Sequence, residues 1–275
     1  MDSPPPEGSL RIAAQRRNYG TGRGEAVSPA IAVETPVAIE INGIAYAVMM
    51  ATPLDVEDFV TGFILAEALA EVHEIEGIAV HAVDGGDWGA GLVARVNLPH
   101  DRMGPILERA RRRLGDSSCG ICGIEGIEQA LRPLPRLAFA PLPEPPAIQL
   151  ALDAMGKGQA LGRETAATHA AAFCSLEGAV IALREDVGRH NALDKLVGAL
   201  ARQGIDPAAG FIVLSSRCSY ELVEKTVRAG CPLLVTISAP TDLAVRRARG
   251  AGLTLAVVAR SDTMLWIDPD NPGII

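Results

Sequence analysis

The chain has 275 residues, a formal net charge of −8 and 48% hydrophobic residues, enough to bury a core without disulfide or metal support. Its acidic balance argues against general binding to nucleic-acid phosphates, which requires a basic surface. We expect no membrane span, because no run of about 18 uncharged apolar residues is present, and a cytoplasmic protein, because the polar amino terminus lacks the apolar stretch of a secretory signal.

The first part of the chain predicts a tail and a small α+β subdomain. Residues 1–30 are rich in proline and glycine without periodicity, and we expect them to be flexible. Residues 31–114 predict the subdomain. Two strands flank Asn42-Gly43, a pair that accepts positive φ and favours a hairpin turn. Asp55 is a candidate N-cap. The apolar stripe of the next helix is Phe59, Phe63, Ala66 and Leu69, followed by strands at 78–83 and 92–96 and a helix at 102–114.

The composition then changes twice. Residues 115–147 hold a Cys-x-x-Cys loop and a proline-dense linker, which mark a boundary. In residues 148–275, continuous apolar strands alternate with helices, which is typical of a largely parallel sheet covered on both faces. We therefore expect a three-layer α/β/α domain. Its predicted helices are 148–161, 166–173, 192–200, 219–229 and 243–249, and its predicted strands are 179–183, 211–214, 232–237 and 253–258.

The chain contains five cysteines, and an odd number argues against a disulfide framework. Cys119 and Cys122 form a closely spaced pair flanked by glycines. Structural zinc would need about four ligands, and no second pair follows. A thioredoxin-type site would lie between a strand and a helix. Two incidental loop cysteines are a third explanation, and an accessible, sulfur-carrying thiol is the fourth. We expect the other three cysteines to be small buried side chains. They are Cys174, Cys218 and Cys231.

Three polar clusters interrupt the apolar pattern of the predicted domain. The first lies at the entry of a predicted short helix, and the other two lie where an apolar strand ends, the place where open α/β sheets bind ligands. The first surrounds His169, the second spans residues 184–195, and the third spans residues 215–221. Cations and amides of the second cluster could gather anionic oxygens at a helix N-terminus, and hydroxyls of the third could cradle a phosphate. The alternative for both is helix capping with surface ion pairs. The cations and amide of the second cluster are Arg189, His190, Asn191 and Lys195.

Six segments, taken together and in this order, resemble the formate dehydrogenase accessory sulfurtransferase (FdhD) family over roughly residues 30–268. They are ETPVAIEINGIAYAVMMATPLDVEDFVTGF, SSCGICG, THAAAF, EDVGRHNALDKLVG, SSRCSYELVEKTVRAGCPLLVTISAPTDLAV and TLAVVARSDTMLWI. The resemblance implies a sulfur carrier that takes persulfide sulfur from a cysteine desulfurase. It implies delivery to the molybdenum cofactor, as Mo-bis(molybdopterin guanine dinucleotide), before that cofactor enters formate dehydrogenase. It also implies a homodimer and a cytidine-deaminase-like fold for the carboxy-terminal domain.

The resemblance assigns roles to particular residues. The persulfide carrier would be Cys119, with Cys122 as its helper. The family's cofactor-binding segment maps onto Val258, Ala259, Arg260, Ser261, Asp262 and Thr263. His169, Arg189, His190 and Arg217 are further candidates for binding the anionic cofactor, and no metal held directly by the protein is expected.

Three positions depart from the family pattern, and one position lacks the glutamate that zinc deaminases need. Ala166 and Ala68 stand where the family usually has glycine, and Val258 stands where an aromatic residue is common; these differences bear on local backbone geometry and on guanine packing. A zinc deaminase needs a glutamate two residues after its histidine, but Ala171 follows His169 at that spacing. Deamination is therefore not expected. A non-catalytic chaperone for the molybdenum cofactor is the main alternative function, and a small-molecule hydrolase is the third.

Overall fold

The computed structural model describes residues 5–86, 89–104, 106–107 and 133–270. Cys119, Cys122 and most of the predicted helix at 102–114 lie outside these residues. No helix within the described ranges has the length and apolar composition needed to cross a membrane. The strands are β1 (Ser9–Arg11), β2 (Ala14–Arg17), β3 (Gly24–Val27), β4 (Ala30–Ala32), β5 (Thr35–Ile41), β6 (Ile44–Ala51), β7 (Gly77–Asp84), β8 (Ala90–Asn97), β9 (His169–Ser175), β10 (Val180–Asp186), β11 (Gly210–Leu214), β12 (Leu233–Thr236), β13 (Thr254–Val257) and β14 (Leu265–Ile267). The α-helices are α1 (Val56–Ala66), α2 (Pro145–Gly158), α3 (Ala160–Thr165), α4 (Arg189–Gln203), α5 (Tyr220–Arg228) and α6 (Asp242–Ala251), and the 3-10 helices are Val72–Glu74, His100–Arg102 and Pro207–Ala209.

A four-stranded sheet in the order β6-β5-β8-β7 forms the amino-terminal half. The predicted hairpin is confirmed, because Asn42 and Gly43 join β5 to β6 with φ of 47° and 78°. Alternate residues of β5 are fully buried and lie in one hydrophobic cluster with the phenylalanines of α1. Asp55 takes the predicted N-cap position of α1, but its φ is 52° and its side chain makes no capping hydrogen bond.

Short strands lie within residues 9–32, most of which belong to the segment where the sequence pattern predicts no regular structure. The strand β1 pairs with β4, and β2 pairs with β3, both antiparallel. Most side chains in these strands are exposed. The pairing of these strands therefore depends on backbone hydrogen bonds. Because few of their side chains are buried, their sequences show no alternation of apolar and polar residues.

A six-stranded sheet in the order β10-β9-β11-β12-β13-β14 forms the carboxy-terminal half. The prediction of a largely parallel sheet is wrong. The strands β11, β12 and β13 pair in parallel, whereas β10, β9 and β14 join the sheet through antiparallel pairs. Helices on both faces are confirmed: α4, α5 and α6 contribute to the core on one face and α2 to the core on the other. The cytidine-deaminase likeness and the domain boundaries stay predictions.

The predicted helix at 166–173 is wrong, because most of this segment is the strand β9. Ala170, Ala171 and Ala172 are at most 1% exposed. Their helix propensity is outweighed by burial on both faces of a central strand, where small side chains let the flanking helices approach. The predicted helix at 148–161 is divided near Gln159 into α2 and α3.

The helices α1 and α4 join the two halves through a close backbone crossing. A Cβ atom added at Gly62 would lie 1.8 Å from the carbonyl oxygen of Asp194, and one added at Gly198 would lie 1.9 Å from that of Asp58. Only glycine permits this approach. Beside the crossing, the carboxylate of Asp58 pairs with Arg184 and Arg202, so the contact between the halves is both steric and electrostatic.

Candidate functional site

One edge of the six-stranded sheet gathers all the described candidate residues. The carboxyl ends of β10, β11, β12 and β13 meet there with the amino end of β9, because β9 runs opposite to its two neighbours. The helices α4, α5 and α6 begin at this edge, directly after β10, β11 and β12. We call this edge the carboxyl edge. Three helix N-termini give it a positive electrostatic character.

A buried ion pair organises the β10 end of the carboxyl edge. Lys195 Nζ lies 2.7 Å from Asp186 Oδ2, and both side chains are 0% exposed. The same carboxylate accepts hydrogen bonds from the backbone N–H of Thr52 at 2.9 Å and of Gly188 at 2.8 Å. Lys195 also donates to the carbonyl oxygen of Thr52 at 3.0 Å. This cluster fastens the end of β6 to the start of α4.

The cluster changes the role of two predicted anion ligands. Lys195 has no exposed surface, and burial lowers its pKa against the opposing effect of Asp186. Asn191 is 4% exposed and donates to Asp186 and to the carbonyl oxygen of Met50. Because both side chains are committed to buried partners, neither is available to bind a ligand, and the proposal that they gather anionic oxygens is wrong.

His169, Arg189 and His190 meet at the β9–β10 end of the edge. The backbone of His169 lies opposite that of Asp186 in the antiparallel pairing of β9 with β10. Burial lowers the pKa of His169, and the charges of Arg189 and His190 lower it further, which favours the neutral imidazole near pH 7. Arg189 Nε and His190 Nε2 are buried without a hydrogen-bond partner among the described residues. Buried donors normally have acceptors, so these two atoms favour an acceptor supplied by a ligand.

Glu221 faces His190 from the first turn of α5. Its Oε2 lies 3.9 Å from His190 Nε2, beyond hydrogen-bond distance. Burial raises the pKa of Glu221, but the interactions with His190 and Ser219 outweigh this effect and bring it to about 2. Glu221 is therefore ionised near pH 7. The Glu221 carboxylate and the His190 imidazole therefore face each other as a half-buried pair where α4 and α5 begin.

The loop after β13 forms the other end of the carboxyl edge. Val258 has a φ of 51°, which is a strained conformation for a β-branched residue. Hydrogen bonds hold the loop against β12: Val258 N–H donates to Ser238 at 3.4 Å, and Ala259 N–H donates to Thr236 at 3.1 Å. Arg260 N–H then closes a turn by donating to the carbonyl oxygen of Thr263 at 2.8 Å.

A cavity of about 370 Å³ lies between this loop and the start of α2. The predicted segment supplies one wall with residues Ala259 to Thr263, and Pro145, Pro146 and Gln149 of α2 supply part of the other. The cavity combines apolar walls with a few charged and polar groups, as small-molecule sites do. The guanidinium of Arg260 is turned towards the carbonyl oxygens of Ile237 and Ala259.

The two ends of the edge are separate. The strands β11 and β12 lie between β9 and β13, which places His169 roughly 14 Å from the β13 loop at the usual spacing of strands. Arg217 lies between them, exposed in the loop that connects β11 to α5. The described candidates thus line one edge without forming one compact pocket. Among the described residues, no three acidic, histidine or cysteine side chains are grouped to hold a metal ion.

The three cysteines of the carboxy-terminal half are buried, as predicted. Burial raises the pKa of each thiol to about 12. The reactive form of a cysteine is the thiolate, so these thiols are unsuited to nucleophilic chemistry near pH 7. The residues concerned are Cys174, Cys218 and Cys231.

The alanines that depart from the family pattern have the backbone conformation of glycine. Ala68 and Ala166 both have a φ of 52°, in the left-handed region that glycine adopts without strain. The fold therefore keeps the glycine geometry although the glycines are absent.

Sequence spacing does not reveal several contacts of the site. Glu221 resembles an ordinary first-turn carboxylate, and its position opposite His190 becomes evident only when α4 and α5 pack together. Lys225 Nζ lies 2.6 Å from Asp194 Oδ1 in the same interface. Pro145 and Gln149 are remote in sequence from residues 259–263, so no local signal places them in the same cavity.

Comparison with known proteins identifies the family. The model of the FdhD/NarQ family matches residues 32–267. A protein named sulfur carrier protein FdhD from Xanthomonas campestris pv. campestris is 44% identical over 261 residues, which cover 94% of this chain and 91% of the relative. A protein of the same name from Variovorax paradoxus is 45% identical over 242 residues, which cover 86% of this chain and 83% of the relative.

Solved structures include a protein with the same fold. It is a Desulfotalea psychrophila protein described as a formate dehydrogenase accessory protein. The TM-score is 0.71 at 22% identity, over 96% of this chain and 98% of that one. The family match over most of the sequence, together with the close relatives, shows that the chain belongs to the FdhD/NarQ family.

Proposed function

We propose that this protein is a sulfur carrier that serves formate dehydrogenase. The observation that carries the proposal is the 44% identity, over 94% of the chain, to a protein named as a sulfur carrier. The CxxC pair supports it, since it supplies the two thiols that sulfur transfer requires. The described cysteines support it by elimination, because burial raises the pKa of all three thiols.

In the proposed chemistry, the thiolate of Cys119 attacks the terminal sulfur of a persulfide on a cysteine desulfurase. The sulfur–sulfur bond of the donor breaks, its cysteine leaves as a thiolate, and Cys119 holds the persulfide. Cys122 then attacks the inner sulfur of that persulfide. A Cys119–Cys122 disulfide forms, and the terminal sulfur leaves as sulfide with the electron pair, so oxidation of the two thiols balances reduction of the sulfur.

The acceptor in this proposal is the molybdenum of Mo-bis(molybdopterin guanine dinucleotide), bound as a substrate along the carboxyl edge. Three helix N-termini and the buried donors of Arg189 and His190 suit its phosphates. The cavity beside residues 259–263 suits a purine base. His169 and Arg217 would add polar contacts between these two positions. The mixed α/β architecture is also compatible with the deaminase-like arrangement that we propose for the carboxy-terminal domain.

Binding of guanosine diphosphate to the full chain tests the cofactor site. We expect Arg189→Gln to weaken this binding by about 10-fold, since one charge-assisted contact to phosphate is lost. Arg246→Gln is the matched control, because Arg246 is exposed on α6 and its ion pair among the described residues is with Asp242. Equal affinities of the two variants, measured by calorimetry, would count against phosphate binding at this edge.

A cofactor-binding chaperone without sulfur chemistry is the second candidate function, because the carboxyl edge could bind a cofactor without the CxxC pair. Formate dehydrogenase activity in cells that depend on this protein separates the two candidates. As a sulfur carrier, the Cys119→Ser variant should support less than about 1% of normal activity, as expected when a covalent nucleophile is removed. Normal activity would favour the chaperone.

We also propose that the protein works as a homodimer in the cytoplasm.

A further inference from the structure

A β-hairpin near the amino terminus projects from the body of the protein. We call residues 14–27, which comprise β2, β3 and their turn, the arm. Every side chain from residue 15 to residue 26 is exposed, and Tyr19 at the tip is as accessible as in an isolated peptide. A lone two-stranded hairpin is at best marginally stable in water, so the arm lacks the packing that would normally support its fold.

The arm is basic on an acidic chain. Residues 14–27 contain three arginines and one glutamate, whereas the whole chain has 25 basic and 33 acidic residues. Arg16 pairs with Glu25 at 2.8 Å, but both side chains are more than 60% exposed, and such a pair adds little stability. The rest of the chain is therefore more acidic than the total of −8 indicates. The arginines are Arg16, Arg17 and Arg23.

An apolar strip adjoins the arm on β1 and β4. Leu10 and Ile31 are cross-strand partners, and Ile12 lies two residues beyond Leu10 on the same face. All three are large aliphatic residues that are 38–44% exposed. We call them the apolar strip. Exposed aliphatic side chains beside a polar rim are typical of protein–protein interfaces.

The root of the arm is fixed near the carboxyl edge. A Cβ atom at Gly8 would lie 2.8 Å from the side chain of Leu54, and Gly8 accepts a hydrogen bond from Val33 at 2.8 Å. Thr52, two residues before Leu54, is the residue that binds Asp186. The arm therefore extends from a rigid base, as a docking element requires.

We propose that the arm and the apolar strip form the surface through which two copies of this chain associate. This inference rests on the homodimer in the proposed function and assigns its interface. A second copy fits the chemistry, because the chain outside the arm carries an excess of acidic residues that attracts the arginines, and because it presents an identical apolar strip. A two-fold axis would let each arm lie on the other copy, so both arms are supported at once.

Sedimentation velocity of the purified full chain at low and high salt tests this assignment. The variant Arg16→Gln/Arg17→Gln/Arg23→Gln should raise the dimer dissociation constant by about 10-fold at low salt and by less at high salt, because screening removes the difference. The variant Leu10→Ser/Ile12→Ser/Ile31→Ser should raise it by about 100-fold at both salt concentrations. The control Arg95→Gln/Arg136→Gln/Arg246→Gln carries the same charge change on exposed positions elsewhere and should match the wild type.

A monomeric wild type would overturn the inference, and so would arm variants that associate as tightly as the control. The arginine variant alters only exposed side chains, so a folding defect will not obscure its result. Sulfur loading of the same samples, measured by mass, keeps the two proposals separate. A wild type that dimerises through the arm but accepts no sulfur would contradict the proposed function and leave the arm assignment standing.

Discussion

At the scale of residues, the left-handed alanines Ala68 and Ala166 are the simplest features to test. Both are exposed, so glycine would remove strain without removing packing. We predict that Ala68→Gly and Ala166→Gly each raise the free energy of unfolding by about 0.5–1 kcal/mol. Urea denaturation measures the change. As a control, Ala201→Gly within α4 should lower it by about 1 kcal/mol, and a similar loss at Ala68 or Ala166 would contradict the backbone geometry.

The buried pair Lys195–Asp186 predicts a large effect for a single substitution. Lys195→Met leaves the Asp186 carboxylate buried without its counter-charge, which should cost about 3–5 kcal/mol. The double variant Lys195→Met/Asp186→Asn should lose less than the sum of the two single variants, because the groups interact directly. Chemical denaturation of all four proteins gives the coupling, and additive losses would show that the pair does not stabilise the fold.

The carboxylate of Glu221 predicts a pH effect. Its pKa of about 2 lies below the ordinary value of 4.5, so between these values the unfolded chain binds more protons than the folded one. Its contribution to stability is therefore complete above about pH 4.5 and is lost as the pH falls towards 2. We expect the stability difference between wild type and Glu221→Gln to be larger at pH 6 than at about pH 3. A difference independent of pH would contradict the assignment.

At the scale of elements, the crossing of α1 and α4 depends on glycine. A side chain at Gly62 or Gly198 would overlap the backbone of the opposing helix, so the helices would have to separate. We predict that Gly62→Ala lowers the free energy of unfolding by more than about 3 kcal/mol or prevents folding. Gly156→Ala in α2 meets nothing within 4 Å and should be neutral or stabilising by up to about 1 kcal/mol. Similar stabilities of the two variants would contradict the close crossing.

The elements also show where a sequence pattern is sufficient. The strand β5 is predictable because its apolar residues alternate, and its turn is predictable because Asn42 and Gly43 accept positive φ. The strand β9 is not, because its alanines favour a helix locally and become a strand only through burial between two helical layers. The strands β1 to β4 are not, because their pairing uses the backbone alone.

At the scale of the whole molecule, the carboxyl edge could be predicted in outline. Polar clusters after apolar strands indicate such an edge, and Arg189, His190 and Arg217 do lie along it. His169 lies there as well, although the pattern predicts a helix for it, because β9 runs opposite to its neighbours and begins at this edge. The pattern could not separate Lys195 and Asn191 from ligand-binding residues, because the Asp186 partner that buries them comes from a different element. It could not show the distance between His169 and the β13 loop either, since that distance depends on the order of strands in the sheet.

We propose that this protein carries sulfur on Cys119, and the intact mass of the full chain is the measurement that decides it. The full chain is incubated with a cysteine desulfurase and cysteine, beside the Cys119→Ser variant and a Cys218→Ser control that removes a buried thiol. We expect a gain of about one sulfur atom in the wild type and in the control, no gain in Cys119→Ser, and loss of the added sulfur on reduction with a thiol. No gain in the wild type while the desulfurase turns over, or an equal gain in Cys119→Ser, would contradict it.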